Sequence, residues 1–587
     1  MPERVISTHP ADIDYVRRNI PCQWGCPART NIPAYIDAIC HGAPTASYAV
    51  NRRSNLLPGV LGRICSRPCE EFCRHGDVDL GEPVSICWLK RAAADRAGPD
   101  HARAEYRLPA TGKRVAVVGG GPSGLAVAHS LALFGHGVTI LEMMPRLGGM
   151  LLYGIPRFRL PDPVIAQEAG DVIAIGVEVK TGFTLGVDAT AADLLSQYDA
   201  VVLAAGCYDP YRLDVPGEDL PGVYSGLDFM MRVNRGDLPE VGDLVIVIGG
   251  GFTAMDCART TRRLGASRVE IDIRETEEDL VVSREEVLEA KREGIRLVSL
   301  VAATELLGDT HVTGIRFART RLRTDSLTGM KIAHSIPDSE FDRPVDTVIT
   351  AIGQRPSFGP SGSGLPRTPT FDPETGESDV PGLYAAGDYR RAASTVIQAI
   401  GSGSEVAERV DEFLTGARRR RKVVTIEPWR DTRRERAWDF AEKTEMPALP
   451  VDERLASRDV EVETGYGDEA AAEESRRCYL CNLKYEIKVS DCIYCRWCID
   501  LCPRECIHLV AELAQAPDLR VSKTGRWNRV SAVVIDSDRC IRCGVCLRIC
   551  PTQCISVKLV NLVDEVDMPE GPFISYPLGL EGGADGR

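Results

Sequence analysis

The chain has 587 residues, room for roughly four domains of about 150 residues each. Its 44% apolar and 26% charged residues are an ordinary globular composition, which excludes a chain disordered throughout. A net charge of −14 speaks against a nucleic-acid binder, and no apolar run suggests a membrane span or a secretory leader, so a cytoplasmic protein is expected. Cysteine is the unusual count: 21 residues, of which only Cys207 and Cys257 fall between positions 88 and 477. Clustered thiols in a chain without a leader read as metal or redox chemistry.

Residues 1–105 carry seven cysteines in helix-like text, such as Ile32 to Ala38 and Ile86 to Arg96, and predict a helical domain. Residues 106–235 open a dinucleotide-binding domain. The strand Lys113–Val118 runs into Gly119-Gly120-Gly121-Pro122-Ser123-Gly124, a helix follows to Leu133, and a second strand ends at Glu142. Gly119, Gly121 and Gly124 permit the tight turn and close approach that a pyrophosphate needs, and Glu142 can accept from a ribose hydroxyl. A second unit occupies residues 236–340. The strand Leu244–Ile248 leads to Gly249, Gly251 and Ala254 in a G-x-G-x-x-A loop, and the following strand ends near Arg274. Two such sites suggest FAD at the first and NAD(P)H at the second, the nicotinamide domain being inserted in the flavin domain. Residues 341–415 complete the flavin part, where Gly387 and Asp388 close a strand and a helix begins near Ser394.

Residues 416–475 are charged and open with Arg418 to Lys422, which reads as a solvated linker or, less simply, a docking patch. Residues 476–587 contain two C-x2-C-x2-C-x3-C-P runs, the spacing of bacterial two-cluster ferredoxins, in which the fourth Cys of each run serves the other cluster. One [4Fe-4S] set is therefore Cys492, Cys495, Cys498 and Cys550; the other is Cys540, Cys543, Cys546 and Cys502. Zinc is the alternative, but zinc needs only four ligands, usually as two C-x2-C pairs. Cys506 and Cys554, four residues past each run, are expected to be packing residues. The fold class is thus a multidomain α/β protein: a helical Fe–S domain, two Rossmann-like three-layer domains and an α+β ferredoxin domain.

Several segments together carry a family resemblance: PCQWGCP (21–27), GRICSRPCEEFC (62–73), VAVVGGGPSGLA (115–126), LGGMLLYGIPRFRLP (147–161), VIGGGFTAMDCART (247–260) and GLYAAGDY (382–389). Residues 10–415 resemble the small, NADPH-oxidising subunit of glutamate synthase and the matching region of dihydropyrimidine dehydrogenase. The resemblance implies FAD with Gly148, Gly149 and Met150 near the isoalloxazine, a nicotinamide site and two N-terminal [4Fe-4S] clusters. Family ligands match Cys22, Cys26, Cys65, Cys69 and Cys73. Two departures stand out. The family's early Cys pair is absent from 1–21, while a similar R-C-x2-C pair occurs at Cys478 and Cys481. The family's helical Glu or Gln ligand aligns with Lys90, which cannot ligate iron; Cys87, one turn away, can.

Counting thiols gives Cys22, Cys73, Cys478 and Cys481 for one N-terminal cluster, and Cys26, Cys65, Cys69 and Cys87 for the other. A single N-terminal cluster, with Cys478 and Cys481 left beside the ferredoxin fold, is the alternative. Cys40 is expected to pack in its helix. Family members that use NADPH carry cations after the second strand of the inserted domain. Here Arg274 is followed by Glu275, Glu277, Glu278 and Asp279, which leans the reading to NADH, with Arg259 and Arg274 as the residues that would reverse it. The expected function is an NAD(P)H-dependent oxidoreductase subunit, passing electrons between NAD(P)H, FAD and four [4Fe-4S] clusters to or from a partner oxidoreductase subunit or a ferredoxin, in a hetero-oligomer. The rival is an iron–sulfur relay subunit with a vestigial nicotinamide site. No catalytic acid or base stands out.

Overall fold

The computed structural model describes residues 13–77, 81–98, 106–356, 364–365, 369–429, 434–513, 521–524 and 529–574. The chain divides into two compact units. One comprises residues 109–416 and 447–464; the other comprises 1–108, 417–446 and 465–587.

The first unit contains two five-stranded parallel sheets. One has the order Leu383–Ala385, Ala200–Leu203, Arg114–Val118, Gly137–Glu142, Glu178–Thr181. The other has the order Val223–Ser225, Thr347–Thr350, Leu244–Ile248, Arg268–Asp272, Arg296–Val298. Their central strands are buried along almost their whole length, as runs like Val115–Val118 and Val245–Ile248 require when both faces are covered. The last strand of the first sheet arrives after the whole second sheet, so the second sheet is an insertion in the first. Thr347–Thr350 falls within the 341–415 stretch read as flavin domain, yet it pairs with Leu244–Ile248 in the inserted sheet. That boundary is corrected to follow residue 350, because an apolar strand does not carry the name of its sheet.

In each sheet a helix starts at the glycine loop: Pro122–Leu133 and Phe252–Arg263. The former packs along Val396–Thr415 at very short range. Gly403 makes this possible, since a Cβ there would stand 2.5 Å from the Ser123 carbonyl oxygen and 3.0 Å from the Ala126 Cβ.

The second unit joins short N-terminal helices to the C-terminal sheets. Five of those helices carry Pro in the first turn, at Pro21, Pro33, Pro44, Pro58 and Pro68, where the missing N–H costs nothing. Arg420–Trp429 lies antiparallel along Ile555–Met568 in a ten-residue ladder, and Leu483–Ile487 pairs with the same strand on its other side. The expectation of a solvated linker over 416–475 is therefore corrected. The basic run faces an acidic stretch across the ladder: Lys422 pairs with Asp564 at 2.7 Å, and Arg421 with Glu565 at 3.1 Å and Asp567 at 3.2 Å. The complementary acids lie far off in sequence, so the run looked unpartnered. Residues 465–482 then bind the N-terminal helices. The Glu474 carboxylate accepts from Ser85 N and Thr444 N, each at 2.8 Å, and Arg477 donates to the Glu82 carbonyl at 2.6 Å.

Candidate functional site

The first glycine loop has the geometry of a phosphate cradle. Gly119 has φ +107°, and a Cβ there would meet the Ala204 carbonyl oxygen at 2.4 Å. A Cβ on Gly124 would meet Gly119 O at 1.9 Å. At Gly121 the space is open, with only the Gly149 Cα at 3.8 Å, so the side where a ligand would approach is clear. Behind the loop the Glu142 carboxylate accepts from Gly120 N at 2.6 Å and Met144 N at 2.7 Å. Burial pushes its pKa up, against the pull of those N–H groups. Gly148 and Gly149, at φ +124° and +53°, start the turn Met150–Tyr153 against the same loop. Gly387 lies against Ser123, whose Oγ is buried and has no hydrogen-bond partner. The Asp388 carboxylate accepts from Ser394 N at 3.1 Å and from the Ser394 hydroxyl, just before the helix Val396–Thr415. Elements distant in sequence thus bring Gly119, Gly121, Gly124, Glu142, Gly148, Gly149, Met150, Gly387 and Asp388 to one place. The open Gly121 face and the orphaned Ser123 hydroxyl fit a diphosphate-bearing ligand such as FAD.

The second loop repeats the design. Gly249 has φ +135° and a Cβ would meet Ala351 O at 2.2 Å, nothing lies within 4 Å of a Cβ on Gly251, and Ala254 is buried. Arg259 differs from expectation. It is 4% exposed and donates to the Glu293 carboxylate at 2.8 and 3.2 Å, so its charge is spent inside the fold. Arg274 is exposed but bonded to Glu275 at 2.8 Å. Nearby Lys291 pairs with Glu277 at 2.7 Å and Lys331 with Asp279 at 2.6 Å.

In the other unit the cysteines converge in sets. One cavity of ≈ 420 Å³, counting space open to solvent, is lined by Cys492, Cys495, Cys498 and Cys550. A second, of ≈ 350 Å³, is lined by Cys502, Cys540, Cys543 and Cys546. A third, of ≈ 370 Å³, is lined by Cys22, Cys73, Cys478 and Cys481. Cys26, Cys65, Cys69 and Cys87 form a further group around Lys90: burial works against the Lys90 charge, but the sulfurs of Cys65, Cys87, Cys69 and Cys26 push its pKa up. Among the described residues no three His, Cys, Asp or Glu side chains close on a single metal ion. The wider grouping around a cavity suits a bulky polynuclear group.

A local feature unites the four sets. Arg67, Leu480, Tyr494 and Arg542 each stand two residues after a cysteine, and each has a left-handed φ between 49° and 62°. Non-glycine residues take that conformation at a cost. Here it turns the backbone N–H onto the preceding sulfur: Leu480 N to Cys478 Sγ at 3.5 Å, Tyr494 N to Cys492 Sγ at 3.4 Å, and Arg542 N to Cys540 Sγ at 3.4 Å. Arg67 N–H does the same for Cys65. Donors aimed at sulfur favour the thiolate that iron needs. Sequence reading missed these residues, because nothing in Leu or Arg announces a left-handed turn. Cys506 and Cys554 are buried, with sulfurs 3.4 Å and 3.5 Å from those of Cys502 and Cys550. Cys40 closes the helix Ile32–Cys40, and none of the three cavities above includes it.

Three family models match. Pyridine nucleotide-disulphide oxidoreductase covers residues 91–155 and 169–403. Dihydropyrimidine dehydrogenase domain II, 4Fe-4S cluster, covers 16–101, and 4Fe-4S dicluster domain covers 491–554. Among curated relatives, the NADP(+)-dependent formate dehydrogenase subunit beta of Moorella thermoacetica is 35% identical over 78% of this chain and 70% of its own length. The NADPH-Fe(3+) oxidoreductase subunit beta of Geobacter sulfurreducens is 33% identical over 78% of this chain and 75% of its own. The glutamate synthase [NADPH] small chain of Azospirillum brasilense is 33% identical over 67% and 86%.

Proposed function

We propose that this chain, which belongs to the pyridine nucleotide-disulphide oxidoreductase family, is the flavin and iron–sulfur subunit of a larger oxidoreductase, exchanging electrons between a nicotinamide nucleotide and a partner. Its 4Fe-4S domains and its relatives, named as beta subunits and small chains of oxidoreductases, support an electron-transfer role. FAD, held by the Gly119–Gly124 loop, Glu142 and Asp388, supplies the conversion between a hydride's electron pair and single electrons. The chain's own groups bind and orient: Gly121 and Gly251 admit the phosphates, Glu142 receives ribose hydroxyls, and the thiol sets fix where iron sits.

The observation that carries the reading is the grouping of sixteen cysteines into four sets of four, each with an N–H turned onto a sulfur. It supports four [4Fe-4S] clusters, with Cys478 and Cys481 completing an N-terminal one. The partner is an oxidoreductase subunit or a ferredoxin. The nucleotide is NADH rather than NADPH, although these relatives are named for NADP(+) or NADPH. Arg274, Lys291 and Lys331 each pair with an acid of the 275–279 stretch, and Arg259 is buried on Glu293, so these four cations already have carboxylate partners and the stretch keeps its acidic character.

Anaerobic titration of the full chain tests this. NADH should bleach the flavin band and then the iron–sulfur absorbance, in protein holding about sixteen irons. Failure of both nucleotides to bleach the flavin would leave only a relay.

A further inference from the structure

One guanidinium spans two cysteine sets. Arg542 is 1% exposed and sits in the loop of Cys540 and Cys543. Its Nη2 donates to the Cys481 carbonyl at 3.2 Å, its Nε to the Leu483 carbonyl at 3.1 Å, and its Nη1 to the Cys540 carbonyl. Cys481 belongs to the set with Cys22, Cys73 and Cys478; Cys540 belongs to the set with Cys502, Cys543 and Cys546. Two other arginines stitch the same seam. Arg434 donates to the Cys478 carbonyl at 3.0 Å and the Ile541 carbonyl at 3.4 Å, and Arg74 donates to the Ser537 carbonyl at 2.7 Å. Those two have carboxylates: Asp439 for Arg434, and Asp538 at 3.6 Å for Arg74. Arg542 has none among the described residues; its acceptors are carbonyls. A buried cation without an anion is costly. Anionic groups at the two thiol sets on either side would balance it. At the matching position of the other ferredoxin run stands neutral Tyr494.

We propose that Arg542 is the positioning residue that joins the Cys22–Cys73–Cys478–Cys481 site to the Cys502–Cys540–Cys543–Cys546 site, so that electrons enter the ferredoxin fold at the latter. The proposal rests on the four-cluster reading. The exchange it favours is one electron, lost at one site and gained at the other, with no bond broken and no proton moved. A fixed positive charge between the sites stabilises the more negative, reduced state of each, so both accept electrons more readily while the Cys492–Cys495–Cys498–Cys550 site, without that arginine, does not benefit.

The test is an EPR-monitored redox titration of full-length Arg542→Gln beside the unmodified protein. The expected result is retained iron and a reduction equilibrium at least tenfold less favourable at two clusters, about 59 mV for a one-electron couple. The Cys492-set cluster should not move, and Arg542→Lys should recover part of the shift. No shift, or an equal shift at every cluster, overturns the proposal. Should Arg542→Gln lose a cluster, the unmodified protein decides: partial reduction should give mutual spin–spin broadening between the Cys481-set and Cys540-set signals, and its absence overturns the proposal. Iron far below about sixteen per unmodified chain overturns the four-cluster reading itself; full iron with unchanged potentials overturns only the role of Arg542.

Discussion

Cys478 and Cys481 show how one residue pair fixes a site. They follow Arg477, which is bonded to Glu474 and to the Glu82 and Pro83 carbonyls, so the loop is held against the N-terminal helices before any iron is considered. Replacing both by Ser should remove one N-terminal cluster and about four irons of about sixteen, leaving both ferredoxin clusters. Iron assay with EPR checks this, and four unchanged clusters would refute the bridge. At the nucleotide site the deciding residue is Glu275. Glu275→Arg frees Arg274 and adds a cation, so the kcat/KM ratio of NADPH to NADH should rise about tenfold, about 1.4 kcal/mol. Steady-state dye reduction with each nucleotide measures it. If the unmodified protein already prefers NADPH tenfold, the NADH reading fails.

Between elements, the helix pair Pro122–Leu133 and Val396–Thr415 depends on a single missing side chain. Gly403→Leu would force the two apart at Ser123, in the first turn of the phosphate-facing helix. We expect a loss of ~1–3 kcal/mol from overpacking and a fall in bound flavin, read by thermal melting and by flavin absorbance. A melt unchanged within error would contradict the packing argument. The outer face of Phe252–Arg263 is held differently. Arg259 and Arg263 both bond the buried Glu293, and Arg454 lies 3.8 Å away. Burial pushes the Glu293 pKa up, but Arg263 and Arg259 outweigh it and hold the carboxyl at about 2. Its folded pKa lies below its unfolded value of 4.5, so the stabilisation is complete above that value and lost as pH falls through about 2. The contribution is ~3 kcal/mol. Denaturant titrations between these pH values should show the unmodified protein weakening, and Glu293→Gln should be weak throughout and flatter with pH.

At the scale of the molecule, the segment after Thr415 serves both units. Arg420–Trp429 and Gly465–Cys481 belong to the iron–sulfur unit, while 447–464 returns to the dinucleotide unit. There Arg454 pairs with Glu289, and Val462 N donates to the Phe158 carbonyl at 2.9 Å. A chain ending at Thr415 still holds all ten strands of the two parallel sheets, so it should bind flavin and be reduced by nucleotide. Losing Arg454 should lower its stability by ~3 kcal/mol. It should also keep at most one N-terminal cluster, because Cys478 and Cys481 are gone. Flavin-to-iron ratios of the truncated protein check both statements; two intact N-terminal clusters would show that the early thiols suffice.

The glycine loops were legible from sequence because a pyrophosphate cradle needs specific φ values and close approach, which only a few residue types permit at fixed spacing. The ferredoxin runs were legible because three thiols on one short loop leave little freedom. Sequence therefore determined the kinds of domain and the cysteines within each short run. It did not determine what depends on residues meeting across long separations. The end of the basic run, from Arg420, became a strand only beside Asp564 and Glu565. Arg259, read as a cofactor residue, was claimed by Glu293. The left-handed turns at Arg67, Leu480, Tyr494 and Arg542 are imposed by the packing of their loops. Local spacing encodes local geometry. Which buried charge faces which thiol set is a property of the assembled core, where desolvation makes every unpaired group costly, and only the tertiary structure decides it.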